Sequence, residues 1–272
     1  MPEIDFRNVR ATYQSWGEGP PLLLLHSGGG SGAQWSRIAK TLAPERLSIA
    51  PDLLGFGATG SWPEAGALTH DLQADLVAQV IAVNTDRPVD VVGHSYGGAT
   101  AVRLAMNHRD RVRSLVLIEP ILANLLREAD DVLFPESIAV AKEFIANVEQ
   151  GKPALGWEIF LDSRNGPGTW ARISDEQRGQ FVARADSARD AFLSNLANVT
   201  SFADCRSLDV PMTIVCGAKT SAPDRRTTEL LKDCVVGATY VVIAGAGHMS
   251  PLTHSADVTS IVREHLQRVD AV

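Results

Sequence analysis

Six short apolar runs of strand length recur along this chain and constrain its fold more than any other feature. They are continuous rather than alternating in polarity, which is typical of strands buried on both faces of a sheet. The runs are "PLLLLH" (21–26), "RLSIAPD" (46–52), "VDVVGH" (89–94), "VRSLVLIE" (112–119), "PMTIVCG" (211–217) and "ATYVVIAG" (238–245). Since helical segments separate most of them, the pattern predicts an α/β protein with a mostly parallel sheet and helices on both faces.

Two of the intervening segments carry a clear helical stripe. In residues 68–83 apolar side chains recur at three- and four-residue spacing from Leu68 to Val80. Residues 251–269 repeat this spacing, with Pro251 in the first turn. The opening stretch "FRNVRATYQSW" alternates weakly instead, so we predict an antiparallel strand at the edge of the sheet.

The alternation of strands and helices breaks once. No strand pattern is evident between Glu119 and Cys205, yet this stretch holds six of the eight phenylalanines and two of the five tryptophans. It is too apolar for a linker. We therefore predict a helical cap at 121–205, inserted into an α/β core formed by 1–120 and 206–272.

Charge and cysteine content narrow the partners and the compartment. A net charge of −7 argues against a nucleic-acid partner or an anionic membrane surface. No apolar run approaches the roughly 18 residues of a membrane span, so we predict no membrane insertion. Cys205, Cys216 and Cys234 are an odd number without paired spacing and favour free thiols in a reducing compartment. The charged N-terminal stretch "MPEIDFRNVR" has no apolar region, so we expect no signal peptide and a cytoplasmic location.

One apolar run leads into a glycine-rich turn around a serine. In "VDVVGHSYGGAT" (89–100), Ser95 stands between Gly93 and Gly97, and a helical pattern follows directly. A G-x-S-x-G sequence at a strand-to-helix junction is typical of a nucleophile elbow, a turn so sharp that the residues two positions away must be small. Such a turn lifts the serine hydroxyl above the sheet and points the free N–H groups of the next helix at the site.

Three further motifs accompany the elbow. They are the glycine-rich "LLLLHSGGGSGAQW" (22–35), the turn "PDLLGFGATG" (51–60) and the loop "IAGAGHMSPLTH" (243–254). With these motifs the chain resembles the α/β-hydrolase fold family, in its serine esterase and lipase branch. The resemblance implies a sheet of about eight strands, a helical cap, a Ser–acid–His triad and an oxyanion hole of backbone N–H groups.

A serine hydroxyl needs a base to take its proton, so one of the seven histidines must reach Ser95. His248 follows the last apolar run and is expected at the same sheet edge as the serine. His254 is its rival, but it lies at the start of the final helix. We expect His26 and His94 to be structural, with His26 hydrogen-bonded to loop backbone because it is polar and buried.

The oxyanion of an acyl intermediate needs two aimed N–H donors. One is the amide of Tyr96, the residue after the nucleophile. The resemblance implies that the second comes from the loop after His26, at Gly28, with Gly29 as the alternative. This loop departs from the family's usual His-Gly pair, since Ser27 follows the histidine.

The triad acid is the least certain member from sequence. In much of the family it stands three residues after the glycine that ends the strand following the cap, but here that position is Thr220. We predict Glu119, at the end of the strand after the nucleophile's, since some branches of the family use that position. Asp224 is the alternative, although "SAPD" is typical of a capping box in which Ser221 begins a helix and Asp224 reaches back. Thr220 is then expected to tolerate alanine.

These residues predict a serine hydrolase that cleaves carboxylic esters through an acyl-enzyme intermediate. A C–C bond hydrolase of the meta-cleavage-product type uses the same three groups and is the alternative enzyme. A non-catalytic ligand sensor on the same fold is a further alternative. The aromatic cap favours a small, apolar, ester-like substrate, and we place Trp157 and Phe160 in its pocket.

We predict no metal and no cofactor. One pattern competes with this expectation, because the spacing G-x-G-x-x-A followed by an acid is typical of a dinucleotide-binding fold. It is formed by Gly28, Gly30, Ala33 and Asp52. A nucleotide site would leave the serine elbow and His248 unexplained, so we favour the hydrolase.

Overall fold

The structure is a computed structural model and describes residues 1–64 and 68–271. Its strands are β1 (Glu3–Phe6), β2 (Val9–Trp16), β3 (Pro21–Leu25), β4 (Leu47–Pro51), β5 (Val89–His94), β6 (Val112–Ile118), β7 (Met212–Gly217) and β8 (Thr239–Ile243). They form one open sheet in the order β1-β2-β4-β3-β5-β6-β7-β8. Strand β1 pairs antiparallel with β2 and β2 antiparallel with β4, whereas every later pair is parallel. The predicted α/β class and the antiparallel edge are confirmed, and the edge contains two strands rather than one.

The helices cover both faces of this sheet. They are α1 (Ser36–Leu42), α2 (His70–Asn84), α3 (Tyr96–Asn107), α4 (Ala123–Glu128), α5 (Phe134–Glu149), α6 (Pro153–Asn165), α7 (Thr169–Arg172), α8 (Asp175–Ala183), α9 (Ala185–Ala197), α10 (Phe202–Arg206), α11 (Ala222–Cys234), α12 (Ser250–Thr253) and α13 (Ser255–Asp270). The single helix predicted at 251–269 is divided at His254, which ends α12 and precedes α13.

Strand β3 shows why the apolar runs are continuous. Leu23 and Leu25 pack into a core with residues of α2, α3 and α11, whereas Leu22 and Leu24 pack on the opposite face with residues of α1 and α13. All four leucines are buried. A strand covered by helices on both sides has no solvent face, and so its sequence does not alternate.

Helices α4 to α10 all lie between β6 and β7, where the sequence predicted a helical segment without strands. We call this segment the helical insertion. It has an aromatic cluster of its own, which includes Phe144, Trp157 and Trp170. The helical content matches the expectation from sequence, while the division into two units at 120/121 and 205/206 stays a prediction.

Two findings bear on the expected environment of the chain. Among the residues that the structure describes, no helix combines the length and the apolar character needed to cross a membrane. The three cysteines are buried and unpaired, as their spacing predicted.

Candidate active site

Ser95 lies at the junction of β5 and α3 in a strained backbone conformation, with φ 55° and ψ −115°. The flanking glycines are needed because the chain is crowded here. A Cβ on Gly93 would stand 2.6 Å from the carbonyl oxygen of Gly97, and one on Gly97 would stand 2.5 Å from the carbonyl oxygens of Leu25 and His26. The turn has the geometry that the G-x-S-x-G spacing predicted.

Three predicted side chains meet above this turn. The Ser95 hydroxyl lies 2.9 Å from Nε2 of His248, and Nδ1 of His248 lies 2.6 Å from Oε2 of Glu119. With the imidazole proton on Nδ1, the ring donates to Glu119 and accepts from the serine. All three residues are buried, and Glu119 is only 1% exposed. The arrangement can remove the serine proton and stabilise the imidazolium that results.

Glu119 is fixed by contacts from the neighbouring strand and loop. It follows β6 with a positive φ of 42°, which is unusual for a non-glycine residue. Its Oε1 accepts a hydrogen bond of 2.6 Å from the Gly217 amide, and its Oε2 accepts one of 2.7 Å from the Thr220 hydroxyl. Thr220 therefore holds the triad acid, which qualifies the expectation that this position tolerates alanine.

Asp224 is closer to the histidine than a helix cap needs to be. Ser221 does begin α11 and accepts from the Asp224 amide, as predicted. The Asp224 carboxylate, however, accepts from the Ser221 hydroxyl at 2.8 Å rather than from its backbone, so only half of the capping box forms. Its Oδ2 lies 3.7 Å from Nδ1 of His248 and pairs with Arg164 of α6. Burial opposes ionisation of Asp224, but the charges of Arg164 and His248 outweigh it and lower the pKa of the carboxyl.

Two other histidines near the site, His26 and His94, form hydrogen bonds with backbone groups. His94 donates from Nε2 to the carbonyl oxygen of His248 at 2.8 Å, and its Nδ1 accepts from the Gln34 amide at 3.2 Å. Burial, aided by the nearby His248, lowers the pKa of His94 to about 3. His26 accepts from the Leu53 amide and donates to the Ser27 carbonyl, the loop contacts expected of it. The rival His254 instead lies 2.9 Å from the Thr253 hydroxyl.

The loop after β3 forms a tight turn beside the nucleophile. The Gly30 amide bonds to the Ser27 carbonyl at 3.1 Å, and Gly29 between them has φ 77°, so glycine is required there. A Cβ on Gly28 would lie 3.6 Å from the Tyr96 Cβ, which shows how near the two predicted oxyanion donors are. Within residues 1–64 and 68–271 the amides of Gly28, Gly29 and Tyr96 have no hydrogen-bond acceptor. The assignment of Gly28 over Gly29 stays a prediction.

The Tyr96 side chain connects this turn to the helical insertion. Its hydroxyl accepts from Ser194 of α9 at 3.1 Å and from Gln73 of α2 at 3.2 Å. Its ring packs against His70, whose Nε2 lies 2.9 Å from Asn195 Oδ1. Since Tyr96 is buried and its pKa is raised to about 12 mainly by that burial, the phenol stays neutral and positions the first residue of α3.

A cavity of about 310 Å³ opens over Ser95 and His248. Most of its wall comes from the helical insertion and is apolar. The predicted pocket residues Trp157 and Phe160 both line it, with Phe181 and Phe192 beside them. Trp157 is at the same time part of the insertion's aromatic cluster, where it is 1% exposed and packs edge-to-face against Phe144. Their influence on substrate choice stays a prediction.

Two groups of donor atoms bear on metal and nucleotide binding. Donor atoms of Glu119, Asp224 and His248 lie within 4.8 Å of one another. The cation of Arg164 and the short His248–Glu119 hydrogen bond already satisfy these donors, so they do not make a convincing metal centre. Asp52 is not free for a ribose, because its carboxylate accepts from the Gly32 amide, the Ala58 amide and the Thr12 hydroxyl.

Sequence reasoning missed several residues that the fold brings to the site. Arg164 stands 60 residues before its partner Asp224 and carries no motif. Gln34, which accepts from the Ser27 amide and hydroxyl and donates to His94, lies inside a quoted motif without being singled out. Ser194 and Asn195 carry no signal in the sequence, since a helical insertion can place any of its residues on the site.

Comparison with known proteins identifies the family. The family model of the alpha/beta hydrolase fold matches residues 20–255. The chain is 28% identical to the 2-hydroxymuconate semialdehyde hydrolase of Pseudomonas sp. strain CF600, over 99% of this chain and 94% of that protein. It is 30% identical to the lipase LipV of Mycobacterium tuberculosis, over 93% of this chain and 96% of that protein.

Among solved structures, a thermophilic esterase from Thermogutta terrifontis has the same fold. It superposes with a TM-score of 0.77 at 24% identity, covering 96% of this chain and 94% of its own. The sheet order, the serine elbow and the match over residues 20–255 lead to one assignment. This chain belongs to the alpha/beta hydrolase fold family.

Proposed function

We propose that the protein hydrolyses carboxylic esters through an acyl-enzyme formed on Ser95. The observation that carries the proposal is the hydrogen-bonded series Ser95–His248–Glu119, with distances of 2.9 Å and 2.6 Å, on the floor of an apolar cavity. An unactivated serine hydroxyl is a poor nucleophile, and a base oriented by a carboxylate is what activates it.

The reaction follows from these positions. Ser95 Oγ attacks the ester carbonyl carbon while its proton passes to Nε2 of His248, and Glu119 stabilises the imidazolium. The amides of Tyr96 and Gly28 stabilise the oxyanion. When the carbonyl–oxygen bond breaks, His248 returns the proton to the departing alcohol. A water molecule, deprotonated by the same histidine, then attacks the acyl carbon. The bond from that carbon to Ser95 Oγ breaks, Ser95 Oγ takes the proton back from His248, and the carboxylic acid leaves.

The cavity supports a neutral substrate of moderate size. Its volume of about 310 Å³ suits an acyl chain of several carbons or an aromatic acyl group rather than a polymer. Among the described residues that line it, Arg164 is the one side chain with a permanent charge, and that charge is paired with Asp224. Transfer of an apolar acyl group from water into this cavity therefore costs little free energy.

A C–C bond hydrolase is the second candidate, since one relative is named for 2-hydroxymuconate semialdehyde. Such a substrate carries a carboxylate as well as a carbonyl. The pairing of Arg164 with Asp224 leaves no unpaired permanent cation on the described cavity wall for that carboxylate. We therefore favour the ester.

The test combines a probe and a substrate panel. A fluorophosphonate should label the wild type at Ser95, and p-nitrophenyl esters from acetate to decanoate should be hydrolysed with a maximum at intermediate length. Ser95→Ala should remain folded and lose turnover by about 10³-fold or more, because covalent catalysis is lost. Undiminished ester turnover in Ser95→Ala would refute the mechanism. Turnover of a dienoic acid without turnover of esters would favour the second candidate.

A further inference from the structure

Two carboxylates face the same nitrogen of His248. Glu119 Oε2 accepts a hydrogen bond from Nδ1 at 2.6 Å, and Asp224 Oδ2 lies 3.7 Å from the same nitrogen. The two acids reach the ring from different elements, one after β6 and one in the first turn of α11. A triad needs only the first, so the second requires an explanation.

Helix capping does not explain the position of Asp224. The side chain of Ser221 already caps α11 by accepting from the Asp224 amide. The Asp224 side chain is only 11% exposed, and a carboxylate in such a place is costly unless a cation accompanies it. The accompanying cation comes from the helical insertion, where Arg164 of α6 pairs with Asp224 Oδ2.

The charges around His248 then balance in a particular way. Glu119 and Asp224 are negative, Arg164 is positive, and the ring gains a proton as Ser95 attacks. The neighbouring His94 stays neutral because its pKa is about 3, mainly through burial. Asp224 attracts the imidazolium, whereas Arg164 repels it and holds the Asp224 oxygen away from Nδ1.

We propose that Asp224 and Arg164 are positioning residues for His248, with Asp224 acting as a second carboxylate for the imidazolium and Arg164, supplied by the helical insertion, limiting that attraction. The inference rests on the proposed role of His248 as the base. It means that the electrostatics of the triad are complete only when α6 holds Arg164 beside Asp224 in the first turn of α11. The insertion thus contributes to the protonation of the base as well as to the pocket wall.

The test is the acid limb of the pH profile, where the rate falls as His248 becomes protonated. It is followed by the rate of Ser95 labelling by a fluorophosphonate and by kcat/KM for an ester. Asp224→Asn leaves the Arg164 cation unopposed and should move the midpoint of this limb down by about one pH unit. Arg164→Met should move it up by about one pH unit. The double variant should return to within a few tenths of the wild-type midpoint.

Two variants serve as controls. Arg164→Lys keeps the charge and should leave the midpoint near that of the wild type. Arg226→Met removes a different ion pair, which joins Arg226 of α11 to Asp131 after α4. Neither of these two residues has a hydrogen bond to the triad. It should lower stability to a similar degree and leave the midpoint in place. Thermal unfolding of each variant verifies that it is folded.

The outcomes separate the inference from the proposed function. If both single variants lose rate by a constant factor at every pH, the Arg164–Asp224 ion pair only stabilises the contact between α6 and α11. The inference is then overturned. If Ser95 is labelled with shifted midpoints but no ester is hydrolysed, the inference holds and the ester proposal fails. If Ser95 is not labelled, NMR titration of the His248 ring in the same variants gives the comparison directly, and unmoved midpoints would overturn the inference.

Discussion

Glu119 holds three hydrogen bonds on its two oxygens, and only one of them goes to the histidine. The other two, from the Gly217 amide and the Thr220 hydroxyl, fix the carboxylate in place. A carboxylate held by several donors keeps one geometry, which is what a partner of imidazolium must do.

Glu119→Gln should therefore reduce kcat by roughly 10²–10⁴-fold, because it keeps the shape and removes the charge behind His248. Thr220→Ala should cost only about three- to tenfold, since one of the two hydrogen bonds that fix the carboxylate is lost and the one from the Gly217 amide remains. Steady-state kinetics with one ester, together with circular dichroism of both variants, measures these effects. If Thr220→Ala proved as damaging as Glu119→Gln, the threonine would have a role beyond holding the acid.

At this scale the sequence was informative wherever local geometry forces the residue type. The glycines around Ser95 are required by clashes that any Cβ would cause, so a pentapeptide was enough to find the turn. The pairing of Asp224 with Arg164 left no local signal. It depends on where the insertion places the Arg164 side chain, and contacts across 60 residues are set by packing that no short motif encodes.

Among the elements, the strands were predicted best and the helical insertion least well. Continuous apolar runs located β3 to β8 within about two residues at each end, since burial on both faces leaves a clear pattern in β3 to β7. Strand β8 lies at the edge of the sheet, where Val242 is exposed although the run is apolar. In the insertion, α8 carries few apolar residues and none of its side chains is fully buried, so its sequence gave no stripe. The aromatic enrichment predicted that the insertion packs over something, and the cluster around Trp157 lies against the cavity.

The insertion should set the range of acyl groups rather than the chemistry. Phe160→Ala and Trp157→Phe each replace a side chain of the cavity wall by a smaller one and so enlarge the cavity. Each should raise the ratio of octanoate to acetate turnover by roughly tenfold, which is the effect of one or two methylene groups in an apolar pocket. Rates across a panel of p-nitrophenyl esters measure the ratio.

Trp170→Phe is the matched control for this prediction. Trp170 belongs to the same aromatic cluster, but it is not among the described residues that line the cavity. It should lower stability without changing the ratio. An equal change of every rate in all three variants would mean that Trp157 and Phe160 act only as core of the insertion.

Over the whole molecule, polar networks join three apolar cores. One core lies on each face of the sheet and a third lies within the insertion. His70 of α2 connects two of these regions, with Thr100 of α3 on one ring nitrogen and Asn195 of α9 on the other. Composition and periodicity predicted the cores, but such links depend on the assembled layers.

Buried histidines make this assembly sensitive to acid. Burial is the main cause that lowers the pKa of His26. Burial likewise lowers the pKa of His70 and of His265 to about 4 and that of His94 to about 3. Below the ordinary histidine value of about 6.5, the unfolded chain binds protons that the folded chain does not, so stability falls as pH falls. For His70 the free energy of unfolding should fall by about 2 kcal/mol between pH 6.5 and pH 5. This pH window lies above the ordinary pKa values of aspartate and glutamate.

Urea denaturation at pH 7.5, 6.5, 5.8 and 5.0 should accordingly show a falling midpoint below pH 6.5 and a flat one above it. His70→Gln removes one of the titrating groups while keeping a polar side chain beside Asn195. Its stability should differ from that of the wild type by a constant amount above pH 7, and the difference should shrink by about 2 kcal/mol as the pH reaches 5. The pH dependence arises from His70 only if the two curves converge. Parallel curves over the whole range would mean that the ring is protonated in the folded protein and that its network with Thr100 and Asn195 accommodates the charge.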